Sequence, residues 1–551
     1  MSLNIPKKIS ELPSTISLAP TDLFVRVGDG GVTSKLTLLK LQDYLETSDT
    51  FVTGGTFNTV TDNIDFVGTN SFPPFSVSLS SLSPSSNVGN LIFVDSVYGN
   101  DSTGKLNDFG KPFSTYTAAS VSATTNDLIV IRPGTYDEKI ILKDGVKIYA
   151  YPNVTFVGSY DTIITDDNVG VNAEIYGYMN INATCNTGNT NAIYIQNTGT
   201  TLNMECGDII VTGTSTSRCI YNLSTQDVKI KAKDINSFTD SSAETIRLDV
   251  GVSGNSTTIE CNNVIGRSVC LLFNGTSNCN INVLNDIILK DATGSQPQRQ
   301  PAIGFNGSGE IYIKARKITT ESYRAINSDL VTANGNLYVD ADLIESTRTN
   351  LSSTGDFYGG LISNYGNSSN FYIKAKNMVS DGGMVYMNSF SADRKTVLEG
   401  NLYSKQNLVI RHSSTRKLIV KNGTIKRGSD TDNNIVIGMG NYIIGTTFGG
   451  VYNGLLAEFN NVNIVKEETL SGTSTNPIFG LDGTTSEIYV KNCDVYGENI
   501  FSGATAFNAG SLADGNVYFK NTTSNVDNGT NVTDTSIVSG FIYDTNFKII
   551  E

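Results

Sequence analysis

The sequence predicts an all-β fold, a right-handed single-stranded parallel β-helix, from three observations. A short phrase of alternating apolar and polar residues recurs along the chain, as in Ile311–Ile318 (IYIKARKI) and Leu337–Ile344 (LYVDADLI). Its copies recur within the roughly 20–50 residues that mark a solenoid, and their two-residue period is that of a strand. Two columns of residues also agree on one register. Stacked coils bury the apolar face that a single strand leaves exposed.

The repeat has eight positions, which read apolar-x-apolar-x-small-x-x-apolar. A copy around Ile281 is one residue short in this alignment. Looser copies are predicted as further coils of the same solenoid. The other clear copies begin at Leu202, Val228, Phe371, Leu418, Ala457 and Ile488, and the looser ones at Thr257, Thr396 and Val517.

The fourth position carries charges that alternate in sign along the chain. Stacked strands lie about 4.8 Å apart. At that distance like charges repel and opposite charges attract. We therefore predict that Lys314 lies beside Asp340 and that Asp340 lies beside Lys374. The column reads Glu205, Lys231, Glu260, Lys314, Asp340, Lys374, Glu399 and Lys421.

The fifth position holds small residues in the earlier copies and asparagine in the later ones. Small side chains suit a crowded bend, and stacked asparagines can exchange amide hydrogen bonds between rungs. The column reads Cys206, Ala232, Cys261, Ala315, Ala341, Ala375, Gly400, Asn422, Asn461, Asn492 and Asn521.

Composition narrows the function classes. The chain has 551 residues and a net charge of −14, which argues against nucleic-acid binding because that needs a basic surface. Its seven cysteines form no CxxC pair and are expected to be reduced, with assembly in a reducing cytoplasm. We expect no secretory signal and no membrane span, because no run approaches 18 apolar residues.

Residues 1–45 differ in kind from the repeats. They contain Lys8–Pro13 (KISELP), Asp22–Val25 (DLFV) and Gly31–Thr37 (GVTSKLT). These phrases resemble the N-terminal virion-attachment segment of bacteriophage tail-fibre and tailspike proteins. The resemblance covers about 40 residues, and it implies localisation in the virion and a tail or capsid protein as the partner of residues 1–45.

Residues 46–90 are predicted to form a β neck followed by a Ser-rich linker. The neck alternates apolar and polar residues between Gly turns, and its length is too short for an independent core. We therefore expect three chains to wrap together there as a parallel homotrimer. Short β-repeats of this kind are similar to those between the anchor and the body of phage fibres.

Residues 91–551 are predicted to form the β-helix with its N-terminal cap. A strand around Ile92, an Ala/Ser-rich run and the turn Pro133–Tyr136 (PGTY) open it. This order resembles the first coils of pectate-lyase-like (pectin lyase-like) right-handed β-helix proteins, over about 65 residues. That resemblance implies a short helix that caps the first coil.

Candidate site residues lie on the repeat. Asp340, Asp342 and Glu345 form the best acidic cluster for a glycosidase, which needs two carboxylates about 5–9.5 Å apart. The rungs on both sides carry lysine and arginine, so the cluster also fits a charge ladder. The lone histidine, His412, excludes His-rich zinc sites, and we expect neither a metal nor a cofactor.

Tyrosines recur at the second position, and the two-residue period points them away from the core. Tyr312, Tyr338 and Tyr372 occupy successive copies, and Tyr489 and Tyr518 occupy later ones. As a carbohydrate-binding set, the first three would form a platform for sugar rings. The alternative is a subunit contact or a β ladder that tolerates solvent.

The sequence supports two functions of different classes. The first is a structural virion fibre, on tail or head, that attaches to a host surface polysaccharide or receptor and has no catalytic activity. The alternative is a tailspike depolymerase that cleaves a bacterial surface polysaccharide as a hydrolase or lyase. Paired carboxylates free of basic neighbours would distinguish the enzyme. A secreted adhesin is a weaker third interpretation.

Overall fold

The computed structural model separates into two compact units, Met1–Asn87 and Val88–Glu551. Residues 1–45, assigned to virion attachment, lie outside the described residues. The structure describes residues 52–58, 63–68, 75–78, 89–159, 162–185, 190–239, 243–250, 256–276, 278–290, 300–328, 334–347, 360–364, 369–380, 383–387, 394–404, 410–412, 417–427, 437–439, 456–466, 479–481, 487–496, 516–520 and 523–525.

The described part of the first unit consists of three strands, β1 (Val52–Asn58), β2 (Asn63–Gly68) and β3 (Phe75–Ser78). β2 pairs with β1 on one side and β3 on the other, and both pairings are antiparallel. The neck strands therefore find hydrogen-bond partners within one chain. The dependence of this segment on a homotrimer stays a prediction.

The second unit opens with a capped coil. β4 (Leu91–Val94) is followed by α1 (Tyr116–Ser122), which buries Tyr116 and Ala119. The Thr115 side chain accepts a hydrogen bond from the Ala118 backbone N–H at 3.1 Å and so caps the helix. No helix in the described part of the chain is long and apolar enough to cross a membrane.

The remaining strands wind in coils of three segments. The early coils are β5 (Leu128–Ile131), β6 (Gly134–Asp137), β7 (Ile140–Ile141), β8 (Lys147–Ala150), β9 (Val154–Gly158), β10 (Thr162–Thr165), β11 (Asn172–Gly177), β12 (Asn180–Cys185), β13 (Thr190–Ile195), β14 (Thr201–Glu205), β15 (Ile209–Gly213), β16 (Ser217–Asn222), β17 (Val228–Lys231), β18 (Asp234–Thr239), β19 (Glu244–Leu248), β20 (Ser256–Cys261), β21 (Asn263–Gly266), β22 (Val269–Phe273), β23 (Asn278–Val283), β24 (Asp286–Leu289) and β25 (Ile303–Phe305).

From β26 the first two segments of most coils join into one long strand. The later coils are β26 (Glu310–Thr320), β27 (Ile326–Ser328), β28 (Asn336–Ser346), β29 (Ile362–Asn364), β30 (Asn370–Ser380), β31 (Val385–Met387), β32 (Lys395–Ser404), β33 (Ile410–His412), β34 (Lys417–Arg427), β35 (Ile437–Met439), β36 (Leu456–Lys466), β37 (Phe479–Leu481), β38 (Glu487–Lys491), β39 (Asp494–Tyr496), β40 (Asn516–Lys520) and β41 (Thr523–Asn525).

Every coil pairs in parallel with the next. The first segments pair with each other, as β26 does with β28 and β28 with β30. The short third segments form a sheet of their own from β7 to β37. Apolar side chains of all three segments fill one continuous interior. The predicted parallel β-helix is confirmed.

The bend after the first segment is built in two ways. In β26 and β28 the fifth-position alanines, Ala315 and Ala341, point into the core. In β34 and β36 the fifth-position residues Asn422 and Asn461 are exposed and have φ values of 56° and 57°. Asparagine tolerates this left-handed conformation. In β36 the sixth-position residue, the buried Val462, turns inward instead, whereas the sixth position of β34 is Gly423, which has no side chain.

The copy around Ile281 is longer than the sequence alignment assumed. Cys279 pairs with Ile311, and Ile287 pairs with Ile318. The copy therefore begins at Cys279 and carries one extra residue at the bend. The sequence-based alignment, in which this copy was one residue short, was wrong. The extra residue lies beside Leu284, which is 65% exposed.

The described cysteines are free thiols. None forms a disulfide, and burial raises the pKa of all six, for example to about 12 for Cys270. The side chain of Cys185 lies outside the described residues. The six are Cys206, Cys219, Cys261, Cys270, Cys279 and Cys493.

Gly400 in β32 is predicted to be irreplaceable. Its φ is 126°, and a Cβ built there would lie 1.6 Å from the carbonyl oxygen of Ala375. We expect Gly400→Ala to lower the free energy of unfolding by about 3 kcal/mol, measured by urea denaturation. In the control Gly110→Ala, the new Cβ approaches nothing closer than 3.4 Å. Equal stability of the two variants would contradict the assigned bend.

Candidate functional site: a groove between a tyrosine ladder and a charge ladder

Three second-position tyrosines form a continuous stack, here called the tyrosine ladder (Tyr312, Tyr338 and Tyr372). The ring centroids of Tyr312 and Tyr338 lie 4.6 Å apart with planes inclined by 6°. Those of Tyr338 and Tyr372 lie 4.7 Å apart and are inclined by 8°. The three side chains face outward, as predicted, and Tyr312 is 44% exposed. Further along, Tyr489 and Tyr518 are also register partners.

The fourth-position side chains lie one above another, as the sequence predicted. Lys314 pairs with Asp340 in register, and Asp340 pairs with Lys374. Lys374 continues to Glu399, and Glu399 to Lys421. We call these five residues the charge ladder.

Earlier coils carry a similar alternation from Glu205 to Glu260, but Asn282 lies in register between Glu260 and Lys314 and interrupts it. Near the start of that alternation, Lys231 forms a 2.8 Å ion pair with Glu205. Beyond Lys421 the alternation stops, because Asn460 comes next and then Lys491 is a register partner of Lys520. An exposed ion pair of this kind contributes up to about 1 kcal/mol to the free energy of unfolding. The charge ladder therefore favours the correct register of the coils but adds little to their stability.

A groove of about 390 Å³ runs between the two ladders. The tyrosines form one wall and the charged residues form the other. The floor is the strand segment at position 3, where Ile313 and Val339 turn their side chains into the core. The two walls are two residues apart along each strand, at positions 2 and 4, which corresponds to about 6.6 Å. Asn280 and Val397 also line the groove.

A hydrogen-bonded row of polar residues two positions before the tyrosines fixes the Tyr312 hydroxyl, and sequence reasoning missed it. The Tyr312 hydroxyl donates to Glu310 Oε2 at 2.7 Å, and Asn336 Nδ2 donates to Glu310 Oε1 at 3.0 Å. Asn370 Nδ2 donates in turn to Asn336 Oδ1 at 2.7 Å. The signal was a polar residue directly before the first apolar position, which was not included in the repeat.

Hydrogen bonds in and beside the groove shift the pKa values of one tyrosine and one carboxyl group. The hydrogen bond to Glu310 raises the pKa of Tyr312 to about 12. Burial alone would raise the pKa of Glu399, but hydrogen bonds from Lys421 and Asn422 outweigh it and hold that pKa below its usual value. The Lys421–Glu399 ion pair measures 3.2 Å. Glu399 is therefore held as a carboxylate.

The structure does not bring the three candidate catalytic carboxylates together. Asp340 lies in the groove, whereas Asp342 lies at the bend and does not line it. Glu345 comes after the bend, on the second segment of β28, where its carboxylate forms a 2.5 Å ion pair with Lys317. Asp340 thus stands between two lysines rather than opposite a second carboxylate. His412 lies in β33, on the short third sheet, and pairs with Met387 and Met439.

In the described ranges, no three His, Cys, Asp or Glu residues cluster as ligands for a metal ion. No protein family, no curated protein and no solved structure matches the chain.

The role of Glu310 can be tested through the phenol of Tyr312. We expect Glu310→Gln to lower the pKa of Tyr312 from about 12 toward the usual value of about 10, because the anionic acceptor stabilises the neutral phenol. The measurement is an NMR titration of Cζ-labelled tyrosine, with the signal assigned by Tyr312→Phe. Glu260→Gln, two coils earlier on the same face, is the control. A titration unchanged by Glu310→Gln would show that this contact is absent.

Proposed function

We propose that the chain is a non-enzymatic structural fibre of a bacteriophage virion, on the tail or head, that contributes to attachment at the host surface. The observation that carries this proposal is a β-helix whose outward groove presents stacked tyrosines and regularly spaced charges. Such a groove offers a long, repetitive contact surface. The resemblance of residues 1–45 to virion-attachment segments supports anchoring at that end.

The state of the carboxylates favours binding over cleavage. A glycosidase needs a general acid whose pKa is raised. Glu399, the second carboxylate of the groove, has a lowered pKa instead and is bonded to Lys421. Glu345 forms an ion pair with Lys317. The alternative, a tailspike depolymerase, would have to rely on Asp340 alone among the candidate acids.

The proposal includes a parallel homotrimer. Each coil of the β-helix buries its own core, but the three-stranded neck has no described second layer that could cover a face of its sheet. Three copies packed around one axis would supply that layer.

The attachment role predicts where the protein is found and what it competes with. We expect immunogold labelling of the virus encoded by the same genome to mark thin projections of the particle. We also expect the purified full-length chain to slow adsorption of that virus to its host cells. Unlabelled particles together with unchanged adsorption would refute the fibre. Release of new reducing or unsaturated sugar ends from host polysaccharide would favour the depolymerase.

A further inference from the structure

The groove contains two lysines that form no salt bridge with any described residue. Lys314 and Lys374 are separated by one coil, and Asp340 lies between them in register. Asp340 likewise forms no salt bridge within the described ranges, whereas Lys231 and Lys421 at other points of the same column do. Lys374 also lies near enough to Glu399 to help lower the pKa of that carboxyl, but without a direct ion pair. This part of the charge ladder is therefore open to an external partner, although the whole chain carries a net charge of −14.

The tyrosine ladder offers an edge rather than a stacking surface. Tyr338 has a tyrosine against each ring face. The outer face of Tyr372 is approached by Lys395, whose Nζ lies 5.2 Å from the ring centroid. A sugar ring can therefore stack only at the Tyr312 end. The tyrosine ladder instead forms a wall parallel to the β-helix axis. The charged residues on the opposite wall are therefore the groups that can recognise a ligand.

The spacing of those charges defines the partner. The two lysines stand two strand spacings apart, about 9.6 Å along the axis. An extended glycan advances by a similar distance per disaccharide. Its acidic group could meet a lysine on every second rung, while a hydroxyl of the intervening sugar donates to Asp340. An acid on every sugar would instead place a carboxylate against Asp340, and like charges at that distance repel.

We infer that the groove binds an extended acidic glycan that runs parallel to the β-helix axis and carries one anionic group per disaccharide. The inference rests on the proposed attachment function for its biological setting, and it names the ligand class of that function. Lys314 and Lys374 hold the anionic groups, Asp340 accepts a hydroxyl hydrogen bond, and the tyrosine ladder contacts the glycan from the side.

Three polymers of matched length test the charge spacing. Hyaluronan oligosaccharides carry one carboxylate per disaccharide, their carboxyl-reduced form carries none, and oligogalacturonates carry one per sugar. We expect the full-length chain to bind hyaluronan at least about tenfold more tightly than either other polymer, measured by calorimetry at low salt. Binding should weaken as salt is added, because exposed charges are screened.

Variants assign the binding to the groove. We expect Lys374→Gln and Lys314→Gln each to raise the Kd for hyaluronan about tenfold. Lys376→Gln is the matched control, because Lys376 is an exposed lysine of the same strand outside the groove, and it should leave Kd unchanged. Circular dichroism checks that all three variants keep the fold.

Each other outcome overturns the inference. Equal binding of hyaluronan and its carboxyl-reduced form would show that the ligand need not be acidic. Tighter binding of oligogalacturonate would contradict the spacing of one anionic group per disaccharide. Absence of binding, or an equal loss of affinity in all three variants, would show that the groove is not the binding site. None of these results affects the immunogold and adsorption experiments, so the fibre function can stand when the glycan class fails.

Discussion

Parallel stacking in strict register is the constraint on which the rest of this structure depends. Each coil rises by one strand spacing, so the same repeat position of every copy lies above its predecessor. Tyr312, Tyr338 and Tyr372 stack because of it, and so do Lys314, Asp340 and Lys374. The groove is the space between two such columns. A slip of one residue would turn both columns into the core.

The bend is where the coils adapt to keep that register. Alanine at position 5 fits inside, whereas the left-handed Asn422 and Asn461 turn outward. After Asn461 the buried Val462 fills the core instead. The Asn461 Nδ2 donates to Asn422 Oδ1 at 3.1 Å, so the predicted amide exchange does occur between these two rungs. Asn492 departs from it and donates to Asn460 instead. Gly400 meets the same demand with one residue fewer in its coil.

The two-residue period and the residue columns predicted the stacking correctly and placed the bend at position 5, but they did not show how each copy makes the turn. Alternating charges placed Lys314 beside Asp340 correctly. The copy around Ile281 was misaligned because an extra residue lies at the bend beside the exposed, apolar Leu284. Asp340 and Glu345 were grouped because they are close in the sequence, although the bend at position 5 lies between them. The bend leaves Asp340 in the groove and brings Glu345 to Lys317, which no sequence spacing reveals.

Engineered disulfides test the register most directly. Replacing both Lys314 and Asp340 with cysteine puts two thiols on adjacent rungs, at a separation within the Cα range of about 4.4–6.8 Å that a disulfide spans. Replacing Lys314 and Lys374 instead puts them two rungs apart. Mild oxidation followed by mass spectrometry should detect the first disulfide and not the second. Formation of the second disulfide in preference to the first would contradict the stacking on which the groove depends.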